Sequence, residues 1–157
     1  MNLLDSSSQC IVFKIGNWHF SIANEEARLI LRRNELGSIQ LLPDMSAPLI
    51  GVTNIQGHAR TLLDPGLLLE CPDEGKKNIL VIGALKDQSA ILIDELPWSL
   101  NQKEYTKVAL NSIDLPSTLQ SWCRHAWHPN DEKKPWLLHL QPYDVLLQTW
   151  QLHNSKE

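Results

Sequence analysis

The chain has 157 residues, a net charge of −4 and an isoelectric point near 5.8, with 43% apolar and 20% charged residues. This composition is typical of a folded protein and excludes an intrinsically disordered chain. The basic residues are scattered in pairs such as Arg32-Arg33 and Lys133-Lys134. This argues against nucleic acid as the main partner, because phosphate binding needs a clustered basic face.

No apolar run is long enough to cross a bilayer, and residues 1–9 lack the basic and apolar regions of a secretory signal. Cys10, Cys71 and Cys123 are odd in number and far apart. We therefore predict a cytoplasmic protein with reduced thiols.

The first part of the chain predicts a polar tail at 1–9 and a hairpin whose strands span 10–15 and 18–23, around a Gly-Asn turn. Asn24 is predicted to cap a short helix at 25–32, which has acids in its first turn and bases in its last.

A second hairpin is predicted from strands at 50–55 and 58–63, with Gln56-Gly57 at the turn, where glycine supplies a positive φ. At most one helical turn follows at 65–70, and 71–78 reads as a solvated loop.

The second half repeats this style, and its predicted elements are strands and one closing helix. The strands are expected at 79–85, 89–96, 121–127 and 136–140, a polar strand and loop at 97–110, and the helix at 143–152. About eight to ten short strands are typical of sandwiches and small barrels. Two packed β lobes explain both hairpin-rich halves better than one parallel sheet, since long crossover helices are absent.

Cys123, His125 and His128 have a spacing that a metal site can use, and on a strand Cys123 and His125 share a face. The set is incomplete for a structural zinc site, so we predict no metal. His19 and His139 are single histidines within strand patterns and are predicted to be sheet residues.

Enzymatic patterns are weak. No serine or cysteine lies in a nucleophile signature, and Asp94 and Glu95 point to opposite faces of a strand end, which favours a role in a turn. The glycines of 51–64 match neither a Walker loop nor a dinucleotide fingerprint. The enzyme alternative pairs His58 with Asp64, or Cys123 with His125, and it lacks a complete set of nucleophile, base and orienting group.

Six tryptophans accompany two tyrosines and two phenylalanines. Most are expected in the core, and Trp18, Trp98 and Trp127 lie near turns or strand ends, where an exposed ring would mark an interface.

The stretch from Leu49 to Leu69 resembles the chemotaxis coupling proteins, the CheW-like domains, and flanking elements in the same order extend the resemblance to about 10–150. Tails are expected at 1–9 and 151–157 around this single domain. The residues that match the family motif are Gly51, Asn54, Gly57 and Asp64, with apolar residues at Val52, Ile55, Leu62 and Leu63.

The resemblance implies two packed five-stranded SH3-like barrels and a non-catalytic adaptor without a cofactor. Such adaptors join the cytoplasmic tip of a chemoreceptor to the regulatory domain of a CheA-type histidine kinase, and they are recruited to receptor arrays at the membrane. The alternative is a self-associating structural β module without these partners.

The partner-binding residues that we predict from the resemblance lie in or near the motif. They are Leu29, Val52, Asn54, Ile55 and Gln56, with Gly51 and Gly57 shaping the turn and Asp64 capping the turn that follows.

Two residues depart from the family pattern. Gln56 stands where the family usually has arginine, and Leu29 where it often has glutamate in its first helix. Because these two pair by charge in the family, we interpret the neutral replacements as coupled and as a change in partner choice. The segment 128–142 is more similar to adaptors of type IV pilus systems than to flagellar ones.

Overall fold

The computed structural model describes residues 9–40, 49–69, 78–83, 88–95 and 97–141. The predicted tails, except Gln9, and the predicted closing helix at 143–152 lie outside these residues. Twelve strands and one α-helix, α1 (Ser117–Trp122), are found in the described ranges. The strands are β1 (Cys10–Ile15), β2 (Trp18–Ala23), β3 (Ala27–Arg32), β4 (Ile39–Gln40), β5 (Leu49–Ile55), β6 (His58–Leu63), β7 (Asn78–Ile82), β8 (Ser89–Ile93), β9 (Trp98–Ser99), β10 (Tyr105–Val108), β11 (Cys123–Pro129) and β12 (Leu137–Leu140).

The strands form two six-stranded sheets. The central sheet, in the order β3-β7-β8-β6-β5-β4, comes from one stretch of the chain. The terminal sheet, in the order β10-β11-β12-β2-β1-β9, joins the first hairpin to the last strands. The lobes therefore do not coincide with the two halves of the sequence, because β2 pairs with β12 and β1 pairs with β9.

This architecture confirms the predicted class, mostly β with two packed SH3-like lobes. Each sheet has six strands instead of the expected five, because the two-residue strands β4 and β9 extend one edge of each sheet.

The two sheets pack on each other through a shared apolar core. On the terminal sheet, Phe13 and Phe20 stack with their ring centroids 5.5 Å apart, and Trp122 of α1 is fully buried beside them. Each such side chain stabilises the fold by about 1.5–3 kcal/mol through burial. The central sheet contributes Leu63, Leu80, Ile82, Ile91 and Ile93.

Asp94, at the end of β8, connects the two lobes. Its carboxylate accepts a hydrogen bond from the Gly16 amide at 2.5 Å, and its own amide donates to the Lys14 carbonyl at 3.0 Å. Asp94 therefore secures the β1–β2 turn, which agrees with the turn role predicted for it.

The helix predicted at 25–32 is wrong. A 3-10 turn at Asn24–Glu26 leads directly into β3, and the Asn24 side chain does not cap it. The segment pairs antiparallel with β7. Leu29 and Leu31 pack into the central lobe, whereas Ile30 between them is exposed. The period is therefore two, and strand pairing overrides the helical pattern.

The strand predicted at 121–127 begins only at Cys123, because α1 precedes it. Leu119 and Trp122 lie three residues apart on one side of α1, and both are buried in the shared core, which holds this short helix in place. No helix within the described ranges has the length and apolar character needed to span a membrane.

Thr53 of β5 offers a test of the packing. Its side chain is buried with 2% of its surface exposed, and its hydroxyl has no hydrogen-bond partner. We expect Thr53→Val to raise the free energy of unfolding by about 1 kcal/mol, because it removes a buried unsatisfied polar group and keeps the shape. Urea denaturation measures the change.

The matched control is Thr106→Val, since the exposed Thr106 hydroxyl donates to Asn130 Oδ1 at 2.9 Å. This variant should be neutral or slightly less stable. A lower denaturation midpoint for Thr53→Val than for the native chain would contradict the expectation.

Candidate functional site

The β5–β6 hairpin is closed by the two-residue turn Gln56-Gly57. Both residues have positive φ, 53° at Gln56 and 84° at Gly57, as in the type I′ turn that fits the twist of paired strands. Asn54 Oδ1 accepts a hydrogen bond from the Gly57 amide at 2.9 Å, so Asn54 fixes the turn. Within the described ranges, Gln56 alone combines a side chain with a positive φ.

Two other motif residues lie away from this turn. Gly51 is inside β5, where a Cβ atom would stand 2.9 Å from the carbonyl oxygen of Gln40, so it permits the close approach of β4 instead of shaping the turn. Asp64 is buried, and its Oδ1 accepts a hydrogen bond from the Gly66 amide at 3.1 Å. This caps the 3-10 turn Pro65–Leu68 and confirms the predicted cap.

A groove of about 230 Å³ opens between β3 and the β5–β6 hairpin. We call its buried and half-buried apolar residues the groove floor; they are Leu29, Ile55 and Val81. The more exposed polar residues around them are the groove rim, namely Arg28, Gln56, His58, Arg60 and Gln88.

The groove brings together three of the five residues that were predicted to bind a partner. Leu29 comes from β3, and Ile55 and Gln56 come from the hairpin. Val52 and Asn54 lie on the opposite face of β5 from Ile55, because side chains alternate along a strand. Leu29 and Gln56 therefore line one groove.

Sequence reasoning missed the rest of the groove. His58 and Arg60 alternate on β6 in step with Leu62, which packs in the same cluster as Ile55, so a period-two pattern on β6 identifies them. Arg28 was hidden by the wrong helix prediction. No sequence pattern identifies Val81 and Gln88 as groove residues. They lie in the groove because the sheet order places β7 and β8 there.

The two enzyme alternatives do not form pairs. His58 and Asp64 lie at opposite ends of β6, about 20 Å apart along an extended strand. Asp64 is also occupied as a cap. This separation leaves no His–Asp dyad.

A β-bulge separates Cys123 from His125. Cys123 joins the shared core, whereas the His125 ring stacks on His139 with centroids 4.4 Å apart. The predicted shared face is therefore wrong, because the extra residue of the bulge reverses the alternation. In the described part of the chain, no three metal-binding side chains come together.

His139 and Ser21 lie side by side in the terminal lobe, with Nδ1 and Oγ hydrogen bonded at 2.9 Å, and Trp127 Nε1 donates to the same Oγ at 3.1 Å. Burial, then the neighbouring His139, then Lys107 lower the pKa of His125 to about 4. Burial also lowers the pKa of His139. Both rings are therefore neutral at neutral pH.

The three tryptophans near turns or strand ends differ in their exposure. Trp98 is 43% exposed, whereas Trp127 is half-buried and bonded to Ser21. Trp18 lines a second cleft of about 290 Å³ together with Trp136, which is also 43% exposed and was missed.

Among solved structures, the scaffolding protein TtCheW from Thermoanaerobacter tengcongensis is similar to this chain, with a TM-score of 0.64 and 11% sequence identity. The likeness covers 86% of this chain and 89% of TtCheW. No protein-family model and no curated protein matches the sequence. The two-lobed architecture is thus a CheW-like fold in a chain whose sequence is only 11% identical to that neighbour.

The hairpin turn can be tested at Gly57. We expect Gly57→Ala to lower the free energy of unfolding by about 1 kcal/mol, because a φ of 84° is strained for alanine. The space around the Cβ position is open, so the cost comes from the backbone alone. Gly37→Ala is the control, since Gly37 also has open space and no positive φ. Equal stability of the two variants in urea denaturation would contradict this.

The histidine pair predicts a pH dependence. Unfolded His125 binds a proton near pH 6.5, whereas the folded ring stays neutral down to about pH 4. The unfolded state therefore binds more protons in this range. We expect stability to fall by about 1–2 kcal/mol as the pH drops from 6.5 to 4, allowing for solvent screening of a partly exposed ring.

Urea denaturation across this pH range measures the effect. His125→Phe keeps a ring for stacking on His139 but cannot titrate, so its stability should depend less on pH. An unchanged pH dependence in this variant would show that other groups are responsible.

Proposed function

We propose that this chain is a non-catalytic adaptor that couples a methyl-accepting chemoreceptor to a CheA-type histidine kinase in chemosensory signalling. One observation supports the proposal: in a chain with a CheW-like fold, a groove of the central lobe is lined by Leu29, Ile55 and Gln56, three of the five residues that the resemblance implies for partner binding. The proposal assigns no catalytic residue and no cofactor.

The groove suits a helical partner. Its floor of Leu29, Ile55 and Val81 offers an apolar surface, and its rim is polar. An amphipathic helix from a receptor tip can place its apolar stripe on the floor, as helices do in other hydrophobic grooves. A groove of this size binds only a few side chains, so affinity at one site is modest and an array strengthens binding through multivalency.

The kinase needs a second surface so that both partners bind at once. Trp98 and Trp136 are exposed on the terminal lobe, away from the groove floor of the central lobe. Exposed tryptophans are frequent anchors of protein contacts, and we assign the kinase contact to this lobe. We further propose the type IV pilus branch, which rests on the resemblance of segment 128–142, and recruitment from the cytoplasm to membrane receptor arrays.

Capture of the partners tests the proposal. The purified chain should retain the CheA-type kinase and a receptor tip encoded in the same genome, and it should prefer tips from pilus systems over flagellar ones. Leu29→Ala should weaken receptor capture by about tenfold and spare kinase capture, because it removes apolar contact only from the groove floor.

The matched control is Ile30→Ala on the same strand, since Ile30 points out of the central lobe and is exposed. If Leu29→Ala and Ile30→Ala weakened receptor capture equally, the groove would not be the receptor-binding surface. A chain that captures neither partner and forms homo-oligomers would favour the structural module instead.

A further inference from the structure

The cleft that Trp18 and Trp136 line in the terminal lobe, here called the tryptophan cleft, has walls that the shared core holds in place. Trp18 and Ile113 are half-buried and pack against that core, whereas Trp136 is 43% exposed. The cleft volume of about 290 Å³ is at the lower end of the range of ligand pockets. It therefore suits one long side chain of a partner better than a large cofactor.

Strand pairing brings the two tryptophans together. β2 and β12 run parallel, and Leu138 lies opposite Phe20. Trp136 and Trp18 each lie two residues before these partners, so they stand at the same end of neighbouring strands. Trp136 keeps its exposure although the His128 ring lies against it, with centroids 4.4 Å apart. Aromatic surface is therefore accessible here, and an indole ring attracts cations more strongly than a phenyl ring does.

Asp114 gives the tryptophan cleft a carboxylate. It lines the cleft and is exposed, and its side chain makes no hydrogen bond or ion pair with another residue that the structure describes. His19 is the other ionisable group of the described lining, and burial, then Lys14, lower its pKa, so it is neutral at neutral pH. The described lining therefore has a net negative charge.

This lining disfavours an apolar or an acidic occupant. Either one would remove Asp114 from water without giving it a partner, and an unpaired buried charge is costly. A basic side chain instead places its aliphatic part on the apolar walls and its charge beside the carboxylate. Arginine fits better than lysine, because its planar guanidinium stacks on an indole and pairs with a carboxylate through two hydrogen bonds.

We propose that the tryptophan cleft binds an arginine side chain of the partner at the terminal lobe, with its guanidinium against Trp136 and Asp114 and its aliphatic part on Trp18 and Ile113. This inference rests on the proposed function, since it names the group by which the kinase contacts this lobe. The apolar walls supply part of the affinity, and the ring and the carboxylate together select arginine over a neutral group.

Two short synthetic peptides test it. They are identical except that one has an arginine between leucines and its twin has citrulline, which keeps the shape and removes the charge. We expect the arginine peptide to bind the full chain about fivefold more tightly at low salt, and the difference to shrink at about 0.5 M salt. NMR titration measures both affinities from the indole N–H signals of Trp18 and Trp136. The signal of Trp127, whose indole is bonded to Ser21, should shift less.

Asp114→Asn and Trp136→Leu should each reduce the preference for the arginine peptide. Trp136→Phe should keep more of the preference than Trp136→Leu, because phenylalanine retains a ring with a weaker attraction for cations. Glu132→Gln is the control and should change nothing, since Glu132 is an exposed carboxylate between β11 and β12 and is not among the described residues of the cleft. Urea denaturation of each variant shows that it is folded.

Equal binding of the two peptides, or an unchanged preference in both Asp114→Asn and Trp136→Leu, would overturn the proposal. So would a native dimer that Trp136→Leu converts to a monomer, because a second copy would then occupy the cleft.

These outcomes are separable from those of partner capture. A preference for the arginine peptide without capture of the kinase would refute the adaptor function and leave the arginine site standing. Capture of the kinase that Asp114→Asn and Trp136→Leu both leave unchanged would overturn the arginine contact and leave the adaptor function standing.

Discussion

The packing of the terminal sheet on the central sheet through Phe13, Phe20 and Trp122 is the contact on which the rest of the structure depends. Neither sheet alone can shield this face from water, since each presents a continuous apolar surface to the other. The terminal sheet also needs both ends of the described chain, because β1 and β2 pair with β9 and β12. The two lobes are therefore one cooperative unit, secured further by the bond from Gly16 to Asp94.

The shared core positions the groove without lining it. One end of β6 is anchored in the shared core by Leu63, and the other end carries the Gln56-Gly57 turn. The floor residues all lie on strands, so the groove is preorganised. Binding a partner there therefore costs little conformational entropy. Only the turn adds strain, and the bond between Asn54 and Gly57 offsets part of it.

Features that depend on the local pattern of residues were predicted correctly from the sequence. The alternation and glycine of the second hairpin, the cap at Asp64 and the β-rich class were all confirmed. The predictions were wrong where pairing between strands distant in the sequence determines the structure. Segment 25–32 has helical charges at its ends but pairs with β7, and the bulge before His125 depends on contacts with β12. The basic residues of the groove rim meet only through sheet order, which no local pattern contains.

The groove lies where side chains can differ at little cost to the shared core. The groove floor belongs to the apolar cluster of the central lobe and not to the shared core of Phe13 and Phe20. A charge pair that crosses a partly buried groove contributes little net stability, because desolvation offsets its attraction. An apolar and an amide group at such positions, as with Leu29 and Gln56, therefore cost the fold little stability. Because Leu29 and Gln56 are both neutral, selectivity at the groove has to come from its shape and from the other rim residues.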